Sequence, residues 1–199
     1  SDTQKNQFIR FYEYLVEKGH APQREWSASE IGRWLGYSSR DMWNEFMPGL
    51  DEETVQHCSA MIGEAMLELT ACGKARLYEG SLDTLKLLKN RGYRLIFLSN
   101  CKTSYMNAHI KAFKLDRYFE GFYCTQQYDF APKHEIFSNI LSEHPAVYAV
   151  AGDRFQDMEI AKKHHLLSVG CIYGYGEPHE LEDADFRISD IRELVDILR

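Results

Sequence analysis

The chain has 199 residues, 44% of them hydrophobic and 27% charged, which fits one α/β domain plus a smaller accessory domain and excludes a disordered or fibrous protein. A formal net charge of -7 with no basic run argues against a nucleic-acid surface. No apolar run is long enough to span a membrane and no signal peptide opens the sequence, so a cytoplasmic protein is expected, a monomer or homodimer without membrane or nucleic-acid partners.

Residues 1–77 read as helices only. Over residues 3–20, Phe8, Ile9, Tyr12, Leu15 and Val16 share one helical face, and Gly19 sits at a plausible end. Ser27 and Glu30 have capping-box spacing ahead of Ile31, Trp34 and Leu35, and Gly36 ends that short helix. Residues 37–40 read as a loop, with Arg40 at a helix start. A long third helix begins near Asp51 and carries Val55, Cys58, Met61, Ile62, Met66 and Leu69 before Gly73.

Residues 78–199 change rhythm. Strands are expected at 93–98, 119–124, 146–151 and 167–172, with a short last one at Ile188, and those at 93–98 and 146–151 read as buried. Helices are expected at 82–88, 104–113, 133–141, 157–164 and 191–198. Strands alternating with helices give right-handed βαβ units, hence an α/β fold with a mostly parallel sheet. The five cysteines are scattered, odd in number, and read as reduced thiols.

Chemistry in such sheets gathers at the carboxyl ends of the strands. Ser99 and Asn100 follow the first strand, where a hydroxyl and free N–H groups hold either a phosphate oxygen or an ordinary helix cap. Ala131-Pro132-Lys133 puts a cation at a helix start, against the macrodipole; a bound anion would explain it, and so would a solvated lysine. Gly152-Asp153-Arg154-Phe155-Gln156-Asp157 sets two carboxylates four residues apart, a pair that suits magnesium, or a capping aspartate with a second acid at the helix start. In order along successive strand ends, Ser99, Lys133 and the Asp153/Asp157 pair supply a phosphate cradle, a charge neutraliser and a metal site.

At these residues the chain resembles the haloacid dehalogenase superfamily of phosphatases, over nearly its whole length. Phe97-Leu98-Ser99-Asn100 is similar to the family's second motif, Ala131-Pro132-Lys133 to its third, and the run from Gly152 to Asp157 to its fourth. The run Tyr173-Gly174-Tyr175-Gly176 with Glu177 is similar to phosphoglycolate-phosphatase-like members. The resemblance implies a three-layer Rossmann-like core over residues 78–199 and an α-helical cap over residues 1–77 that shares little surface with it. It implies phosphoryl transfer to an aspartate and hydrolysis of the acyl-phosphate. Ser99 and Asn100 would hold the phosphoryl, Lys133 would neutralise it, Asp153 would ligate Mg2+, and Asp157 would assist at the metal or orient Lys133. Arg40 would meet a second anionic group of a small phosphorylated metabolite, or simply stand exposed.

The family's first motif, Asp-x-Asp-x-Thr at the end of a central first strand, supplies the nucleophile. Ser1-Asp2-Thr3 resembles the residues just after it, and no residue of the chain inherits the nucleophile's role. Asp183-Ala184-Asp185 follows the last main strand and reads as a surface turn. The resemblance implies that this strand, lying between 93–98 and 146–151, precedes Ser1, the alternatives being that those two strands pair directly or that another chain donates a strand, and that the 199 residues alone are inactive. Two other readings stand beside the phosphatase: an inactive binding or regulatory module, and a dehalogenase or phosphonate hydrolase. The third and fourth motifs fit phosphate esters better than dehalogenation, which needs no magnesium.

Overall fold

A computed structural model describes residues 2–198, with side chains from Gln7 onward. Four helices come first: α1 (Asp2–Glu17), α2 (Ala28–Gly32), α3 (Ser39–Phe46) and α4 (Glu52–Ala71). In α1, Phe8, Phe11, Tyr12 and Leu15 recur at helical spacing and are buried, whereas Ile9 is exposed, so the apolar face lies slightly to one side of the expected one. These four side chains form one cluster with Ile31, Trp43 and Cys58. Phe46 packs edge-on against Phe8, Phe11, Trp34 and Trp43.

The caps set where these helices start. The Ser27–Glu30 box forms in both directions: Ser27 N–H donates to Glu30 Oε2 at 2.9 Å and Glu30 N–H to Ser27 Oγ at 3.3 Å. The expected loop at 37–40 is instead the start of α3. Ser38 accepts from Asp41 N–H at 3.1 Å, and Arg40 lies in the first turn. Asp51 caps α4 through Thr54 N–H at 2.8 Å.

Strands and helices alternate in the remainder: α5 (Ser81–Asn90), β1 (Leu95–Ser99), α6 (Thr103–Phe113), β2 (Phe119–Cys124), α7 (Lys133–Glu143), β3 (Ala149–Gly152), α8 (Phe155–His164), β4 (Leu167–Cys171), β5 (Phe186–Ile188) and α9 (Leu194–Ile197). All strand pairings are parallel, as alternation with helices requires. Among the described residues, however, the strands form two sheets, one of β1 with β2 and one ordered β3-β4-β5. Direct pairing of β1 with β3 does not occur.

This corrects the expectation that the strands near 93–98 and 146–151 are buried. β1 is half-buried along its length, Ala149 and Ala151 of β3 are exposed, and Val147 is 100% exposed. Each of these two strands has a partner on one edge only, so only β4, paired on both sides, is buried nearly throughout. Val169, Cys171, Ile188, Leu88 and Leu194 make the second apolar cluster, against which Leu95 of β1 also packs.

The helical lobe is closely engaged with the strand-bearing part. Helix α4 packs along α6, where Thr70 Oγ1 lies 3.3 Å from His109 Nε2. Burial pushes the His109 imidazole below its ordinary value. Helix α4 is long enough to run along α6 beyond its own cluster. No described helix is long and apolar enough to cross a membrane.

Candidate active site

The side chains at the strand ends are engaged rather than free. At the end of β1, Ser99 Oγ accepts from Cys101 N–H at 3.3 Å. Asn100 is buried and donates through Nδ2 to the carbonyl of Gly36 at 2.7 Å, so it holds the helical lobe instead of pointing a free amide at a ligand. Burial pushes the Cys101 thiol up, while its bond to Ser99 and the Lys133 charge pull the other way.

Lys133 opens α7 directly after Pro132 and is only 8% exposed. Its Nζ donates to Asp157 Oδ1 at 2.7 Å. Asp157 lies in the first turn of α8, and its other oxygen accepts from Arg154 N–H at 3.2 Å, capping that helix. The loop before Lys133 turns through two consecutive non-glycine residues at positive φ, Asp129 (50°) and Phe130 (55°). For a bulky phenylalanine that conformation is strained. It is held by Phe130 N–H donating to the Thr125 carbonyl at 2.7 Å, and by Arg40.

Arg40 reaches across from α3 to Asp129 Oδ1 at 2.8 Å and lies over the Phe130 ring. It braces the lysine's loop and, among the described residues, makes no hydrogen bond or ion pair with Ser99, Lys133 or Asp153. Asp153 follows β3, and its Oδ2 accepts from Tyr175 N–H at 2.7 Å. The aspartates of Asp183-Ala184-Asp185 lie elsewhere. Asp185 accepts from both the amide (2.8 Å) and the hydroxyl (2.7 Å) of Ser168, which hold its carboxyl below the usual range, so it ties β4 to β5.

Glycines allow the two carboxylates to sit against backbone. A Cβ on Gly152 would stand 2.2 Å from Asp157 Cγ, and one on Gly176 would stand 1.8 Å from the Asp153 carbonyl oxygen. The second obstacle is backbone, so the loop itself would have to move. Gly176→Ala is expected to lower stability by about 1–3 kcal/mol and to strip hydrogen-exchange protection from the Tyr175 amide. Equal Tyr175 protection in the variant and the parent would refute the close-approach argument.

As a metal centre the site is partial. Asp157 has both oxygens committed and Asp153 has one, and no cluster of three or more His, Cys, Asp or Glu suited to a cation occurs among the described residues. Asp153 fits as one ligand of a magnesium ion that keeps its waters and takes phosphate oxygens, as this ion prefers. Asp157, as it stands, fits as the orienter of Lys133.

Sequence reasoning assigned no role to Arg154, which is 3% exposed. Its guanidinium donates to Glu180 Oε2 at 2.9 Å and to the Leu35 carbonyl, and lies over the Tyr37 ring at 4.8 Å. A buried strand-end arginine in a chain otherwise read for carboxylates carried no signal beyond its place in the run from Gly152 to Asp157.

The scaffold is parallel α/β, with a serine at the end of one strand, a buried lysine–aspartate pair at two helix starts and a second aspartate after another strand. Residues 2–170 match the haloacid dehalogenase-like hydrolase family, and the chain belongs to that family. It is 24% identical over 178 residues to phosphoglycolate phosphatase 1 of Pseudomonas aeruginosa, covering 83% of this chain and 65% of that protein. It is 25% identical over 149 residues to phosphoglycolate phosphatase of Haemophilus influenzae, covering 64% and 59%. The chain thus spans less than two thirds of the length of these curated relatives. The fold is also that of a Haemophilus somnus protein described as a predicted phosphoglycolate phosphatase, with a TM-score of 0.77 at 20% identity, over 100% of this chain and 92% of that one.

Proposed function

We propose that the chain is the phosphate-binding part of a magnesium-dependent phosphatase acting on a small phosphorylated metabolite in the cytoplasm. The observation that carries this reading is Lys133, a cation held almost out of solvent at a helix N-terminus by Asp157, which stands four residues after Asp153. A lysine so placed neutralises an anion at low entropic cost, because its partner has already fixed its position. Ser99 Oγ and the N–H groups that follow it hydrogen-bond the phosphoryl oxygens. Asp153 is the ligand for Mg2+, which when bound supplies charge neutralisation across the phosphoryl oxygens. Asp157 keeps Lys133 aimed, and residues 1–77 act as the cap that excludes water. The five unpaired cysteines suit a reducing compartment.

No run of the sequence matches the family's Asp-x-Asp-x-Thr motif at the end of a first strand, so the chain alone is expected to bind phosphate and to release none from an aryl phosphate. Titration calorimetry with inorganic phosphate is expected to show affinity that rises with magnesium, loses that dependence in Asp153→Asn, and falls about tenfold or more in Lys133→Met, a charge-assisted bond of roughly 1.5–3 kcal/mol. Binding indifferent to both substitutions would end this reading. Turnover that survives purification yet vanishes in Asp153→Asn would reveal a nucleophile elsewhere in the chain. The committed oxygens of Asp157 and Asp153 favour a second reading, a phosphate-binding regulatory module. Phosphate affinity with no magnesium dependence would select it.

A further inference from the structure

Between the helical lobe and the start of α6 lies a cavity of about 240 Å³ that the phosphate chemistry leaves unused. Its walls are apolar: Phe8 and Phe11 from α1, Ile62 and Met66 from α4, Trp34, and Tyr105 from α6. We propose that this cavity receives the organic half of the substrate, and that this half is a largely apolar group, aromatic or branched, of roughly ten heavy atoms, given that an apolar cavity of about 150 Å³ takes benzene. The inference rests on the phosphatase reading and deepens it.

Position comes first. Asn100, Cys101 and Lys102 line the cavity, and they continue directly from Ser99. Gly36 lines it too, held by Asn100 and packed against Arg154, the neighbour of Asp153. The cavity therefore shares a wall with the turn after β1, and one of its lining residues, Gly36, packs against the turn after β3. A phosphate ester seated at Ser99 has its alcohol half beside it.

The lining then selects the alcohol. Lys102 is the one charged side chain among the described lining residues. Burial lowers its ammonium below the ordinary value, and its Nζ already points to the Ser59 carbonyl at 3.4 Å. One partly desolvated lysine suits a single hydrogen-bond acceptor better than a second full anion. A two-carbon acid would leave most of the apolar wall uncovered, and burying its carboxylate there is costly.

The test measures binding to the full chain with magnesium, using 1-naphthyl phosphate, phosphoglycolate, inorganic phosphate and 1-naphthol. Naphthyl phosphate is expected to bind at least about tenfold more tightly than inorganic phosphate, the discrimination that even one or two methylenes give in an apolar pocket. Phosphoglycolate is expected to gain little over inorganic phosphate. Ile62→Trp and, separately, Met66→Trp fill the cavity and are expected to remove the naphthyl advantage while inorganic phosphate binds as before, which also reports that each variant is folded. If phosphoglycolate equals or exceeds naphthyl phosphate, or filling the cavity changes nothing while phosphate still binds, the substrate assignment alone falls. If no phosphorylated ligand binds but 1-naphthol does, the phosphatase reading falls and takes the substrate assignment with it.

Discussion

Replacing Lys133 with methionine is expected to lower the stability of the protein by about 3–5 kcal/mol, because it leaves the Asp157 carboxylate buried without its counter-ion. The two side chains are 8% and 10% exposed and 2.7 Å apart, so solvent cannot take over the lost interaction. A cation at the start of a helix opposes the macrodipole by only about 0.3–1 kcal/mol, and the ion pair outweighs that penalty. Lys133→Met combined with Asp157→Asn is expected to cost clearly less than the two single changes added together, since the neutral pair strands no charge. Urea unfolding of the four proteins gives the coupling directly. A coupling near zero would mean that the pair is not the element that holds Lys133.

The sequence made the places of these residues visible, because Ser99 and Asp153 follow apolar runs with strand spacing and Lys133 follows a proline at a helix start. Ser99, Lys133 and Asp153 stand at the ends or helix starts where β1, α7 and β3 place them. What chain order does not carry is which polar group takes which partner. Asn100 and a phosphate-binding asparagine look alike in sequence; only the approach of Gly36 decides between them. Arg40 was legible as a helix-start arginine, but its partner Asp129 is 89 residues away. Of helix α3 only the start near Arg40 was legible; its extent was not, because its anchors Trp43 and Phe46 gain meaning only from the aromatic cluster they enter. The splitting of the strands into two sheets agrees with the expected place of a further strand between β1 and β3, whereas the exposure of β3 was hidden, since Ala149 and Val150 read as buried whether or not both edges are paired.

Asp157 illustrates how one residue serves fold and site together. It caps α8, receives Lys133, and packs so closely on Gly152 that no side chain fits there. A second carboxylate at this spacing reads in sequence as half of a metal pair. The structure gives its two oxygens to protein donors, which supports positioning of the lysine over coordination.

Arg154→Met is expected to be the second severe substitution, again by about 3–5 kcal/mol, because Glu180 would lose its buried counter-ion. Their side chains are 4% and 7% exposed. The same substitution removes the guanidinium from the Leu35 carbonyl and from the Tyr37 ring, the contacts by which the turn after β3 grips the helical lobe. Burial pushes the Glu180 carboxyl up, but Arg154 and the N–H groups of Glu177 and Phe155 outweigh it and hold it below the usual 4.5. A depressed carboxylate stabilises above its unfolded value, and that contribution is lost as the pH falls below about 4.5 and through the folded value. Glu180→Gln should therefore flatten the acid limb of stability against pH, and Arg154→Met should do the same. Hydrogen exchange separates a lobe-specific effect from general weakening: in Arg154→Met, amides of residues 33–38 are expected to lose protection first, while β4 keeps its own. Loss of protection in equal measure across α2, α3 and β4 would show that Arg154 supports the whole fold and does not specifically fasten the lobe to the site.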